Sequence, residues 1–166
     1  MKRLLLFALL LLVAAAAFAA ESSNEITPEN VVALMNIERA ANGVGPLTLD
    51  VRLVKASEDR MRDMEEGGWW SHQSPEGRSP FVWLAVRAYD YEFAGENLAA
   101  GFETARLLVE SWMESPGHRA NILNPNFDEC GLAIIDGSTV HPANGKSIVV
   151  MFGKRHGEPQ RARATN

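Results

Sequence analysis

The sequence is short of cysteine, of basic charge and of long apolar runs beyond its first segment. Cys130 is the one cysteine in 166 residues. No internal disulfide can form, so an exported fold must stand on its core. Cys130 reads as a small buried hydrophobe at a strand start, the alternative being a reactive or intermolecular thiol. Acidic residues outnumber basic ones, 21 to 16, for a net charge of −5. That balance argues against nucleic-acid partners and anionic lipid surfaces, which require basic patches. After Ala20 no apolar run approaches the roughly 20 residues needed to span a bilayer. There is no H-x-x-x-H pair, no C-x-x-C and no G-x-S-x-G elbow, so no sequence-local zinc or serine-hydrolase motif is present. Internal repeats are absent too.

What is present begins with Met-Lys-Arg, an apolar Leu4–Ala20 stretch and the small-residue end Ala17-Phe18-Ala19. This reads as a secretory signal peptide over residues 1–19, so the chain is expected to be secreted or periplasmic. A polar leader over 20–26 precedes the expected domain over 27–154, and a mobile tail is expected over 155–166. Without residues 1–19 the chain is still long enough for one domain with its own core.

Helix starts are marked by local chemistry. Thr27-Pro28-Glu29 combines a hydroxyl cap, Pro at the first position and an acid in the first turn, and Asn42-Gly43 stops that helix. Gly43–Thr48 reads as a loop. Asp50 caps a helix to about Glu66, with Leu53, Val54, Ala56, Ser57, Met61 and Met64 on one face and Gly67-Gly68 at its end. Trp69–Arg78 is irregular. Ser79-Pro80 opens a short helix to about Ala88, and Tyr89–Ala100 is extended or looped around Gly95. Thr104 opens another helix, with Ala105, Leu108, Val109 and Trp112 inward. Pro116-Gly117 interrupts it before a further turn over His118–Leu123. Two β-branched strands, Cys130–Ile135 and Lys146–Phe152, close the domain. Ile148, Val149, Val150 and Met151 are apolar without alternation, as a sheet covered on both faces requires. The expected class is α+β, a three-layer α-β-α sandwich with a small antiparallel sheet.

Any chemical site must be assembled from distant segments. The ordered series is Asn36-x-x-Arg39, Pro46-Leu47, Ser71-His72-Gln73-Ser74-Pro75-x-Gly77, Gly95-Glu96-Asn97-Leu98-Ala99 and Trp112-Met113-Glu114-Ser115-Pro116-Gly117-His118-Arg119-x-Asn121-Ile122-Leu123. Phe127-x-x-Cys130-Gly131-Leu132 and Val150-Met151-Phe152-Gly153 complete it. This series resembles the CAP superfamily, the secreted SCP-like domain of cysteine-rich secretory proteins, antigen 5 and pathogenesis-related 1. It is most similar to the short, cysteine-poor bacterial branch, over about Thr27–Lys154.

The resemblance implies a central cleft lined by two histidines and two acids. His72 and His118 match the histidines, and Glu96 and Glu114 match the acids. In members that hold a divalent metal, often zinc, the histidines are ligands, and the acids orient water or ligand nitrogens. His72 and His118 are therefore the expected metal ligands, and Glu96 and Glu114 the expected ligand-binding residues. No catalytic residue is assigned. Glu110 shares a helix face with Glu114 and competes as a cleft acid; the resemblance favours Glu114. Two histidines, one loose acid and water would leave coordination positions open. A satisfied hydrogen-bond network without metal is the alternative reading of the same four side chains.

Other residues read as structural. Ser71 and His72 point to opposite faces of an extended segment and cannot pair as nucleophile and base. Asn97 anchors backbone near Gly95, Trp112 is core, and Asn36 with Arg39 ties helix to loop. His141 reads as an exposed turn and His156 as solvated. Trp69-Trp70 is placed to narrow the cleft mouth. The expected function is a secreted binding module for a small ligand, lipid or sterol by resemblance, or for a cell-envelope partner, acting as a monomer. The alternatives are a metal-assisted hydrolase, with Glu96 or Glu114 as general base, and a purely structural envelope protein.

Overall fold

The computed structural model describes residues 24–141 and 144–157. The expected signal peptide and most of the polar leader fall outside this range, as does the tail from residue 158 onward. In chain order the elements are α1 (Pro28–Ala41), β1 (Thr48–Leu49), α2 (Val51–Gly67), α3 (Val82–Val86), β2 (Tyr91–Phe102), α4 (Ala105–Glu114), α5 (Pro116–Ile122), β3 (Glu129–Asp136) and β4 (Lys146–Arg155).

Three helices start where the capping residues stand. Thr27, Asp50 and Thr104 each accept a backbone N–H of the first turn, offsetting donors that a helix leaves unpaired. At Ser79-Pro80 the helix forms later and shorter than expected. Ser79 Oγ caps Phe81 N–H, and α3 runs only from Val82 to Val86. Pro116 opens α5 rather than merely interrupting the preceding helix.

The sheet has the order β1-β3-β4-β2. β2 and β4 pair antiparallel along most of their length, with Glu96 opposite Met151, and β3 pairs antiparallel with β4. Thr48–Leu49, read from sequence as loop, is a short strand lying parallel to β3. The sheet is therefore mixed rather than purely antiparallel. Tyr89–Ala100 resolves into the twelve-residue strand β2. Arg155, assigned to the tail from sequence, instead ends β4 and pairs with Glu129 at 2.9 Å.

Helices cover both faces, which confirms the α-β-α layering. Ile148, Val150 and Phe152 of β4 pack with Val31, Met35, Leu108, Trp112 and Ile122. Val149 and Met151 pack on the opposite side with Leu53, Met64, Leu84 and Tyr89. β4 is thus apolar on both faces, the physical reason for its missing alternation. A Cβ on Gly131 would fall on the α2 backbone at Leu53 and Val54, so this glycine lets α2 lie directly on β3. Cys130 is fully buried, and burial pushes its thiol up to about 12. That agrees with the small-hydrophobe reading.

Polar ties carry the rest. Asn36 closes a two-way bond with the Leu47 backbone, at 2.9 and 2.7 Å. Asp59 of α2 is buried and accepts Arg87 Nε at 2.5 Å and Nη2 at 2.7 Å, with Arg62 as a further partner. The bond from Arg87, with its charge and that of Arg62, holds the Asp59 carboxyl below the usual range despite burial. The folded value lies below the unfolded one, so this contribution is present above about pH 4 and fades as pH falls through the folded value. The urea midpoint of Asp59→Asn should therefore lie well below wild type at pH 7, and the gap should shrink below about pH 4. A gap that is constant across that range would assign the effect to packing.

Candidate functional site

β2 lies at the edge of the sheet, so its side chains meet loops from both helical layers. Glu96 points to the α2 side. Its side chain is 2% exposed and its carboxylate is held at two ends. Arg60 Nε, from α2, donates to Oε2 at 2.9 Å. His72 Nδ1, from the loop after α2, lies 2.7 Å from Oε1. A carboxylate paired to a guanidinium can only accept, so Nδ1 carries the proton and Nε2 is left free. The His72 side chain is 59% exposed, so Nε2 can reach solvent. Hydrogen bonding to Glu96 raises the His72 pKa above its ordinary value, against the opposing effects of partial burial and Arg60.

Asn97, one residue on, faces the other layer. It is fully buried, donates to His118 C=O at 3.2 Å and accepts from Asn121 at 2.8 Å. Asn121 also donates to Glu96 C=O at 3.0 Å. These bonds fasten the first turn of α5, which carries His118, to the strand that carries Glu96. The His118 ring is half-buried beside Trp112, with centroids 6.4 Å apart. Burial lowers its pKa, and the charge of nearby His72 lowers it further. The fold thus brings His72 into contact with Glu96 and places His118 within electrostatic reach of His72, from three separated segments.

Glu114 is placed differently. It stands at the end of α4 and, with Glu103, Leu107, Glu110 and Ser111, lines a groove of about 570 Å³. None of the other three site residues lines that groove. Glu110 and Glu114 do share one face, as their spacing requires.

Among the described residues, no group of three or more His, Cys, Asp or Glu side chains is arranged to hold a metal ion. The residues expected from sequence to hold a divalent cation are His72 and His118, whose imidazoles are neutral nitrogen donors. The contact between Glu96 and the first of these follows the carboxylate–histidine pattern that orients a metal ligand. Such an ion would complete its coordination largely with water or with a ligand.

The family model for CAP, the cysteine-rich secretory protein family, matches residues 32–150. The chain belongs to this family. The CAP domain here is 38% identical over 122 residues to the uncharacterised Bacillus subtilis protein YkwD, a match covering 74% of this chain and 48% of that one. The B. subtilis membrane protein YlbC is 28% identical over 106 residues, 64% of this chain and 31% of that protein. The chain thus spans about half or less of these relatives. Among solved structures, the domain superposes on an outer surface protein of Borrelia burgdorferi with TM-score 0.67 and 24% identity, covering 80% of this chain and 97% of that one. An extracellular SCP-domain protein of Bacillus anthracis gives TM-score 0.63 and 23% identity, over 78% of this chain and 44% of that one. These two neighbours share the fold. No helix among the described residues is long and apolar enough to cross a membrane.

Further participants are not apparent in a motif reading. Arg60 lies on the core-facing stripe of α2, eleven residues before Ser71, whose C=O it bonds at 2.5 Å. A charge on the buried stripe of an amphipathic helix was the available signal. Trp69 stacks over the Arg60 guanidinium at 4.7 Å. Trp70 meets His141 edge-on at 5.9 Å, so His141 is half-buried and not the exposed turn expected. Glu65 accepts from Ser138 and Thr139 and fastens that loop to α2.

Proposed function

We propose that this CAP domain is an exported binding module whose cleft presents the imidazoles of His72 and His118 to a divalent cation, and through it to a small ligand or cell-envelope partner. The observation that carries this reading is the His72 ring. It is fixed at Nδ1 by a buried, charge-compensated carboxylate, and Nε2 is left accessible. Freezing an exposed side chain costs conformational entropy. A purely structural histidine gains little from an outward nitrogen, whereas a ligand-binding one requires it.

Zinc suits neutral imidazole donors, and when bound it would supply a Lewis acid to an incoming oxygen ligand. His72 and His118 would hold it, and Glu96 would orient His72. Glu114 would act from the neighbouring acidic groove on the rest of the ligand. Extracellular and outer-surface structural neighbours, together with the signal-like first 19 residues, support export.

Zinc titration by calorimetry on residues 20–166, beside the His72→Ala/His118→Ala double variant, tests the reading. Saturable heat is expected for wild type and none for the variant. Equal, negligible heats in both would remove the cation from the proposal. A variant that loses stability while binding is unchanged would leave the cleft a structural network.

A further inference from the structure

We propose that Trp69 and Arg60 are positioning residues that set the cleft histidine from outside the cleft. The inference deepens the reading of His72 as the presented ligand group and rests on it.

The geometry begins at the end of α2. Gly68 adopts φ 72° and closes the helix by donating to Met64 C=O, a left-handed turn that favours glycine. Trp69 N–H donates to the same carbonyl at 3.2 Å, which folds the chain back on the helix. The indole then lies across Gly67. A Cβ at Gly67 would collide with the ring, reaching Cδ1 at 2.7 Å. The ring can therefore occupy this place only because residue 67 has no side chain. Lying there, it covers the Arg60 guanidinium at 4.7 Å, a cation–π contact out of water.

Arg60 is 1% exposed; besides an ion pair with Asp63 at 3.8 Å, it forks toward two hydrogen-bond acceptors. Nη2 bonds Ser71 C=O at 2.5 Å, fixing the backbone one residue before His72. Nε bonds Glu96 Oε2, fixing the carboxylate that holds the His72 ring. One guanidinium thus sets both the backbone position of His72 and the orientation of its imidazole. A lysine could not span both with a planar fork. The path runs Gly67, Trp69, Arg60, then Ser71 and Glu96 in parallel, and ends at Nδ1 of His72. It accounts for the Gly67-Gly68-Trp69 run, which the cleft residues themselves leave unexplained.

The test uses Gly67→Ala, Trp69→Leu and Arg60→Lys, none of which alters a cleft side chain. Two readouts are taken on each folded variant. One is the His72 Nδ1–H resonance in ¹⁵N-histidine-labelled protein, assigned by its loss in His72→Ala. The other is zinc affinity by calorimetry. Wild type should show a protected Nδ1 proton. The three variants should lose or broaden it and bind zinc about tenfold or more weakly, the usual effect of disturbing a ligand's supporting partner. A merely structural role predicts otherwise. The collision at Gly67 would then lower the thermal midpoint of Gly67→Ala while leaving the Nδ1 proton and the zinc affinity intact. Folded variants with an unchanged proton and unchanged affinity would overturn the proposal. If wild type binds no zinc, the cation reading falls separately and the Nδ1 proton decides alone: its loss in the variants supports the positioning role, and its retention overturns it.

Discussion

Arg39→Met should cost about 3–5 kcal/mol of folding stability, the range for breaking a buried, charged hydrogen-bond cluster. Arg39 of α1 is 1% exposed, and its guanidinium is held by backbone rather than by a carboxylate. It donates to four carbonyls: Gly45 at 2.6 Å, Ile122 at 2.7 Å, Asn124 at 3.0 Å and Phe127 at 2.6 Å. These belong to the loop before β1, the end of α5 and the loop entering β3. Burial pulls the guanidinium pKa below its ordinary value, partly opposed by Cys130 and Asp128. Methionine fills much of the volume but donates nothing, so four carbonyls lose this donor at once, and of them Asn124 C=O keeps the Phe127 N–H. Domains of this size are stable by about 5–15 kcal/mol, so the loss consumes a large share of the total. Arg39→Lys should fall between, because one ammonium has three donors and no planar fork. Urea unfolding followed by tryptophan fluorescence checks both, and a loss under about 1 kcal/mol for Arg39→Met would refute the account.

Glu96→Gln should combine a stability loss of about 3 kcal/mol with loss of cleft order. The substitution is nearly isosteric, so packing is not the cause. One amide oxygen can still accept from Arg60, but the closer of the two carboxylates that compensate this buried guanidinium is gone, leaving Asp63 at 3.8 Å. The amide nitrogen then faces His72 Nδ1 as a donor. Two donors cannot pair, so the ring must move the proton to Nε2 or swing away. Either response removes the outward lone pair, and zinc affinity should fall about 10–100-fold. Urea unfolding measures the first effect and calorimetry the second. A cycle with Arg60→Met isolates the Arg60–Glu96 coupling, which should exceed about 1 kcal/mol. Near-additive single effects would mean that the pair contributes little beyond its separate contacts.

The three caps at Thr27, Asp50 and Thr104, the inward stripes of their helices and the strands β3 and β4 were legible in the amino-acid order. Each depends on chemistry within one turn or on side-chain shape, and neither needs the rest of the chain. Asn36 and Arg39 could be read as helix-to-loop ties, and Asn97 as a backbone anchor, because each polar side chain stands in an otherwise inward pattern. His72, Glu96 and His118 could be named through the family resemblance. Their approach to one another could not be read from the order alone, since it requires β2 at the edge of the sheet with loops arriving on both sides.

Tertiary structure alone decided the remainder. Thr48–Leu49 becomes a strand only because β3, far along the chain, offers it a partner. Glu114 shares a helix with the inward-facing Trp112, yet it faces a different groove from the other site residues, which helix spacing without a neighbouring layer does not reveal. Arg60 became a support of the site because α2 lies flat on the sheet opposite Glu96, and Trp69 because Gly67 leaves room for its ring. Local order determines what each segment forms; contacts between segments determine which of its side chains meet, and only packing the layers creates those contacts.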